Sequence, residues 1–514
     1  MVVGFLKSME VPRIDNAATA QEALDLIAKN KYDVVICDYN LGQGQNGQQI
    51  LEEAKHKNLI GFSTIWMMVT AEKTMDMFMG AAETKPDDYL LKPITESLLE
   101  ARLIKLIEKK RSLESIEKAA KSKNYLRAIA LCDEQLKTPS TNTQEVQRIK
   151  SELLVTVGDF PAAKAFFEHL LAARSMPWAK TGLGKVHFMT QDFFRAKELF
   201  QEVLDENKMY LEAADWLAKT LEALGDLEQA HNVLDKAMAL SPNAVGRQKN
   251  LADTAFKNGK LDVAQSAYEK AIKLGEFSVH KSASTFSGLA KVLNAKDDPE
   301  QALKVLDRSR GQFKDDPEAA LQTAVLEGMA YHQMGQPQKA EAALASAEEL
   351  MRSQTNNVNH AVTMDMANAM LKLGQKDKAF ALLENVVKNN HDNASIIDMV
   401  GEVFDKAGLG DEGSELIKKS TQEVIDINNQ GVVLANEGKF EDGIKLIRKA
   451  LQTLPNNDHM IMNLCGMIIG LLSKSGRDDR LIFESRELLE RVRKINPNNK
   501  KYNTYLNIIN KLEN

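Results

Sequence analysis

Over the first 110 residues or so, the spacing of apolar positions switches repeatedly between two periods. "MVVGFLKSMEV" at the start reads as a helix with one apolar face, interrupted by Lys7 and Glu10. "TAQEALDLIAKN" is helical, with Thr19 at its N-cap and Glu22 three residues on, the spacing of a capping box. "YDVVICD" then gives a short β-branched run of the kind buried on both faces of a sheet. The alternation continues: "GQQILEEAKHK" helical, "STIWMMVTA" extended, "EKTMDMFMGAAET" helical, "DDYLLKP" extended and "ESLLEARLIKLIEKKR" helical. Strands alternating with helices predict an α/β unit with a parallel sheet. From about Lys110 the strand signals stop, and the pattern is helical with short Gly or Asp turns to the end.

In open parallel sheets, ligands bind beyond the carboxyl ends of the strands. Three polar residues fall at such ends: Asp38, Thr70 and Lys92. With "VVICDYNLGQGQNGQQIL", "MMVTAE" and "DDYLLKPIT" around them, the first 110 residues resemble a response-regulator receiver domain, a flavodoxin-like α/β fold. The resemblance implies roles for them. Asp38 is the phosphoacceptor, Thr70 the hydroxyl that contacts the phosphoryl group, and Lys92 the cation that pairs with it. Tyr89 is the switch aromatic, and Asn40 offers its main-chain carbonyl to Mg²⁺ alongside Asp38. Phosphorylating a carboxylate adds nearly two charges and three acceptor oxygens, which a fixed ammonium and a hydroxyl can satisfy. A Lys92-Pro93 peptide in this fold is expected to be cis.

The receiver pattern opens with a strand ending in an acidic pair that holds Mg²⁺, and "MVVGFLKSMEV" reads instead as the helix after that strand. The family's strand order of 2-1-3-4-5 puts the absent strand mid-sheet. Without it, about ten ladder groups lose partners at about 1 kcal/mol or more each when buried, against about 5–15 kcal/mol of total stability. Two expectations follow. In one, Met1 is internal to a longer reading frame that supplies the strand and the acidic pair, and Mg²⁺ is a cofactor. In the other, the chain starts here, another segment repairs the sheet, and metal-dependent phosphorylation is lost.

In the helical part, Ala196, Ala230 and Ala264 recur every 34 residues within "MTQDFFRAKELFQEVLDEN", "LEALGDLEQAHNVLDKAMALSP" and "FKNGKLDVAQSAYEKAIKLG". Related phrases surround residues 155–174, 332–350, 371–390 and 435–455. This resembles the tetratricopeptide repeat, a helix-turn-helix unit with a small residue where two backbones cross. About ten or eleven units are expected across residues 111–514. The wider spacing of Ala302, Ala340 and Ala379 implies longer middle units. Gly413 and Gly443 stand in for the alanine and are expected to loosen the late units. "KKYNTYLNIINKLEN" reads as a capping helix. The resemblance implies an all-α superhelical solenoid with a concave groove for a protein or peptide ligand. Glu212, Asp215, Lys219 and Glu222, then Lys249, Asp253 and Phe256, and upstream Trp178, Thr181, Lys185 and Phe188 are its expected groove positions.

The formal net charge of -6 and pI near 6.0 give no electrostatic reason to seek nucleic acid or an anionic membrane. Cys37, Cys132 and Cys465 have no metal-ligand spacing, and no GxGxxG, P-loop or GxSxG occurs. A cytoplasmic, non-enzymatic protein is expected. Met75, Met77, Met79 and Phe78 cluster on the fourth predicted helix, where some are expected to face outward, either as a docking or homodimer surface or packed against the neighbouring repeats. The combined reading is a two-component response regulator, phosphorylated by a histidine kinase or phosphotransfer protein, whose output is protein binding by the repeats. Its rivals are a constitutive scaffold with an unphosphorylated receiver and a phosphate sink for a histidine kinase. In the regulator reading, the near-continuous helix from residue 96 into the first repeat carries the shift.

Overall fold

A computed structural model describes residues 2–42, 44–71, 80, 83–138, 142–353, 359–496, 499 and 501–513. Residues 1–285 form one compact unit and residues 286–514 a second. Met75, Met77, Phe78 and Met79 lie outside the described residues.

In the first unit, β1 (Val34–Asp38), β2 (Ile65–Thr70) and β3 (Asp88–Leu91) make a parallel sheet in the order β1-β2-β3. The apolar runs explain why these segments are strands, since β2 is buried along its whole length. Alternate residues serve the two faces. Ile65, Met67, Val69 and Leu90 pack with Phe5 and Leu6 of the helix Val2–Ser8 and with Leu99 and Leu103 of the helix Glu96–Arg111. On the other face, Cys37, Trp66 and Met68 pack with Leu24 and Ile27 of the helix Ala20–Lys29 and with Ile50, Leu51 and Ala54 of the helix Gly47–His56. The expected alternation of elements is present among the described residues, while most of the predicted helix between β2 and β3 lies outside them.

Two details differ from the sequence reading. The Thr19 hydroxyl accepts from the Glu22 backbone N at 3.2 Å, but the Glu22 carboxylate reaches the Ala18 N–H rather than that of Thr19. A complete capping box forms instead at Asn46 and Gln49, each side chain accepting from the other's backbone N at 2.9 Å. Among the described residues, β1 pairs with β2 only. Along its other edge runs a cavity of about 1080 Å³, lined by Val34, Ile36, Val11, Ile14, Leu103 and Ile107 among others.

The helix Glu96–Arg111 is followed after two residues by the helix Glu114–Lys121, so the connection is near-continuous, as expected. Five helix pairs then run from Glu114 to Leu274 in this unit. Ala196, Ala230 and Ala264 are all fully buried, because each sits where its helix crosses its partner closely. The turns are sharp for a local reason. Gly225 adopts φ 79°, which an L side chain rarely tolerates, and Asp226 caps the next helix by accepting from the Gln229 N–H at 3.1 Å.

In the second unit, Ala302, Ala340 and Ala379 are likewise fully buried. The helices Pro317–Gln333 and Pro337–Ser353 have 17 residues each, matching the wider spacing expected of the middle units. The glycine expectation is corrected here. A Cβ at Gly413 would lie 2.4 Å from the Phe404 ring, and one at Gly443 would lie 2.9 Å from the Gly431 carbonyl oxygen. These glycines give closer packing than alanine allows. A single helix, Gly410–Asn436, also spans what the repeat pattern divides into two.

Candidate functional site

Strand register brings the three strand-end residues together. Asp38 pairs with Val69, the residue before Thr70, and Thr70 pairs with Leu91, the residue before Lys92. The ladder continues past the strands, with the Tyr39 N–H donating to the Val69 carbonyl and the Lys92 N–H to the Thr70 carbonyl, both at 2.8 Å. With neighbouring strands about 4.8 Å apart, the three side chains rise from adjacent strand ends on one edge of the sheet. Lys92 Nζ makes an ion pair and hydrogen bond with Asp38 Oδ2. Asp38 Oδ1 accepts from the Asn40 backbone N at 3.3 Å. Both groups of the ion pair remain partly open to solvent, whereas Thr70 is buried. The Lys92-Pro93 peptide is cis.

Tyr89 is half-buried on the Cys37 and Trp66 face of the sheet, and burial pushes its hydroxyl up to about 12. Cys37, just before Asp38, is buried, which with the Asp38 charge pushes its thiol up to about 12 and keeps it protonated. The Asn40 side chain accepts from the Gly42 N–H at 3.1 Å, fixing the loop after β1.

The expected Mg²⁺ donors can be tested against these residues. Mg²⁺ takes near-octahedral oxygen, commonly one or two carboxylates completed by waters and phosphate oxygens. At this end of the sheet, Asp38 supplies one carboxylate, one of whose oxygens is held by Lys92, and no group of three His, Cys, Asp or Glu able to hold a metal occurs among the described residues. The described donor set does not by itself fit the ion.

Sequence reasoning missed Gly47. A Cβ there would sit 2.3 Å from the Asp38 carbonyl oxygen and 3.0 Å from Cys37 Sγ, so only glycine lets this helix start against the Asp38 backbone. Its N–H donates to the Tyr39 carbonyl at 2.9 Å. The Asn-Gly pair in "GQNGQQ" was the available signal.

The groove positions divide. Glu212 pairs with Lys185 and, at 3.0 Å, with Lys85 of the receiver part. Burial alone would raise this carboxyl, but Lys185 and Lys85 hold it down to about 2. Asp215 accepts from Arg247 at 2.7 Å through each oxygen, and Lys219 lies over the Trp216 ring. Glu222 binds Lys257, and Lys249 pairs with Asp253. Phe256 is half-buried. Thr181 is buried and donates back to the Pro177 carbonyl. Phe188 stacks edge-on to Trp216, and Trp178 to Phe167. Arg247, Glu83 and Lys85 were missed. Arg247 carried one sequence clue, its distance of 32 residues from Asp215, close to one repeat.

Comparison with known proteins fits these two parts. The family model for the response regulator receiver domain matches residues 1–104. Tetratricopeptide repeat models match residues 211–244, 249–317 and 364–392. Among curated relatives, chemotaxis protein CheY-3 of Vibrio cholerae is 27% identical over 115 residues, 21% of this chain and 82% of that protein. Cellulose synthase operon protein C of Xanthomonas axonopodis pv. citri is 24% identical over 245 residues, 45% of this chain but 16% of that protein, so the chain spans a small part of its length. A solved tetratricopeptide repeat protein from Parabacteroides merdae aligns over 51% of this chain and 98% of its own, at 14% identity and a TM-score of 0.41. The chain therefore carries a response regulator receiver domain followed by tetratricopeptide repeats. No helix among the described residues is long and apolar enough to cross a membrane.

Proposed function

We propose that this chain is a response regulator whose receiver accepts a phosphoryl group on Asp38 and whose repeats deliver the output by binding a protein or peptide. The observation that carries the reading is the convergence of Asp38, Thr70 and Lys92 at adjacent strand ends, with Lys92 already on the Asp38 carboxylate.

In the reaction, an Asp38 carboxylate oxygen attacks phosphorus. The bond from phosphorus to the donor breaks, and its electron pair leaves with the donor, as the imidazole of a phosphohistidine or the acetate of acetyl phosphate. Lys92 then exchanges its bond to the carboxylate for one to a phosphoryl oxygen, and the Thr70 hydroxyl donates to another. Tyr89 fills the space behind Thr70 as that side chain moves. A histidine kinase or phosphotransfer protein is the natural donor, and the output is binding rather than catalysis.

A second reading, a constitutive scaffold with an unphosphorylated receiver, is favoured by the lack, among the described residues, of a group of three His, Cys, Asp or Glu able to hold a metal. Mobility on a phosphate-affinity gel after acetyl phosphate, with and without Mg²⁺, separates the two. A retarded band that Asp38→Ala abolishes and Lys92→Ala weakens is expected. The same mobility for wild type and Asp38→Ala under every condition leaves the scaffold.

A further inference from the structure

Between the receiver and the repeats of the first unit lies a cavity of about 1190 Å³. At its wall the two parts meet through charge. Arg247 is the most deeply buried cation there, its side chain 4% exposed. Asp215 takes two of its guanidinium nitrogens, and the third, Nη1, lies 2.8 Å from Glu83 Oε1 of the receiver. The other Glu83 oxygen accepts from the Ser241 hydroxyl at 3.3 Å. Two residues along, Lys85 reaches Glu212, which Lys185 already holds. Acid meets base at one point and base meets acid at the next.

The receiver presents this pair on a built element. Glu83 and Thr84 end a helical turn, and Lys85 leaves it at φ 49°. Lys55 Nζ caps that end, donating to the carbonyls of Thr84 at 2.6 Å and Lys85 at 3.0 Å. A cation on the last carbonyls of a turn fixes its geometry. The segment is thus held in place by the receiver itself before it meets the repeats.

We propose that the receiver is the resident ligand of the repeats: Glu83 and Lys85 fill in cis a two-point site made by Arg247–Asp215 and Glu212–Lys185. An outside partner reaches that site once the receiver leaves it. The partner it fits is a peptide or protein segment carrying a carboxylate and an ammonium two residues apart, in the order of Glu83 and Lys85. This deepens the proposed output and rests on it for the partner; the contacts between receiver and repeats stand independently of phosphorylation.

The arrangement gives a clean test. Losing Glu83 leaves Arg247 bidentate on Asp215, and losing Lys85 leaves Glu212 on Lys185, so the repeats keep their own pairs. Removing Arg247 would strand Asp215 and risk unfolding. Hydrogen exchange is therefore measured on the full-length chain as wild type, Glu83→Ala, Lys85→Ala and the double variant, with no phosphoryl donor, alongside thermal unfolding. The double variant is expected to exchange several-fold faster at the ends of the helices Gly47–His56 and Val245–Lys257, with each single variant between and exchange in residues 286–514 unchanged. Unchanged exchange in all three variants would overturn the proposal, as would acceleration spread evenly over both units, which reports general destabilisation. Should these variants open the contact while acetyl phosphate labels nothing, the resident contact stands and the phosphorylation reading falls. The reverse result separates the two in the other direction.

Discussion

One methyl group at residue 47 would meet the Asp38 carbonyl oxygen at 2.3 Å, and this backbone contact cannot swing aside as a flexible side chain could. Gly47→Ala is therefore expected to destabilise the protein by about 1–3 kcal/mol, the usual cost of overpacking, and to displace Asp38. A urea titration followed by circular dichroism checks this, and an unchanged midpoint would contradict it. At this scale Asp38, Thr70 and Lys92 were legible in the sequence because each ends an apolar strand, and strand ends share an edge in a parallel sheet. Glu83 was not legible. It sits in an ordinary polar stretch, and what distinguishes it is Arg247, which chain topology brings to it. Arg247 was missed as well, since neighbouring sequence does not reveal the carboxylate on which a buried guanidinium is held.

Between elements, most of the fold was legible because close backbone crossings demand small side chains. Ala196, Ala230, Ala264, Ala302, Ala340 and Ala379 all sit at such crossings, fully buried. Where glycine replaces alanine, sequence suggested loosening, but the aromatic ring facing position 413 decides the sign. Gly413→Ala is expected to destabilise by about 1–3 kcal/mol through contact with Phe404. Gly401→Ala, in a helix interior with open space around it, is expected to stabilise by about 0.5–1 kcal/mol. Thermal unfolding of the two variants beside wild type checks the opposite signs, and shifts in the same direction would contradict this account of the packing. The long helix Gly410–Asn436 escaped the repeat pattern because "SELIKKSTQEVIDINNQ" holds no Gly or Pro to end it.

For the whole molecule, the pairing of Glu212 with Lys185 in the repeats and Lys85 in the receiver makes stability depend on pH in a defined window. Glu212 titrates at about 2 when folded, against an ordinary value of 4.5. A depressed carboxyl contributes its full stabilisation above the ordinary value and loses it as pH falls through the folded value. Wild type should therefore lose stability relative to Glu212→Gln as pH falls from about 4.5 to about 2. Urea midpoints of the two proteins across that range check the prediction, and a constant difference would contradict it. Contact energies also bound the proposed switch. Moving a population from 1:99 to 99:1 takes about 5.5 kcal/mol of differential interaction, whereas a solvent-exposed ion pair such as Lys92 with Asp38 contributes about 0.2–1 kcal/mol. Phosphorylation alone is thus expected to loosen the receiver only in part, leaving a partner to complete the release.

The central claim is that the state of Asp38 governs access to the repeats. Deuterium uptake by residues 211–257, measured before and after acetyl phosphate, tests it most directly when the phosphorylated fraction is recorded in the same sample. The account predicts a partial rise in uptake that follows the phosphorylated fraction and is missing in Asp38→Asn. Uptake that stays level while Asp38 carries phosphate would contradict it.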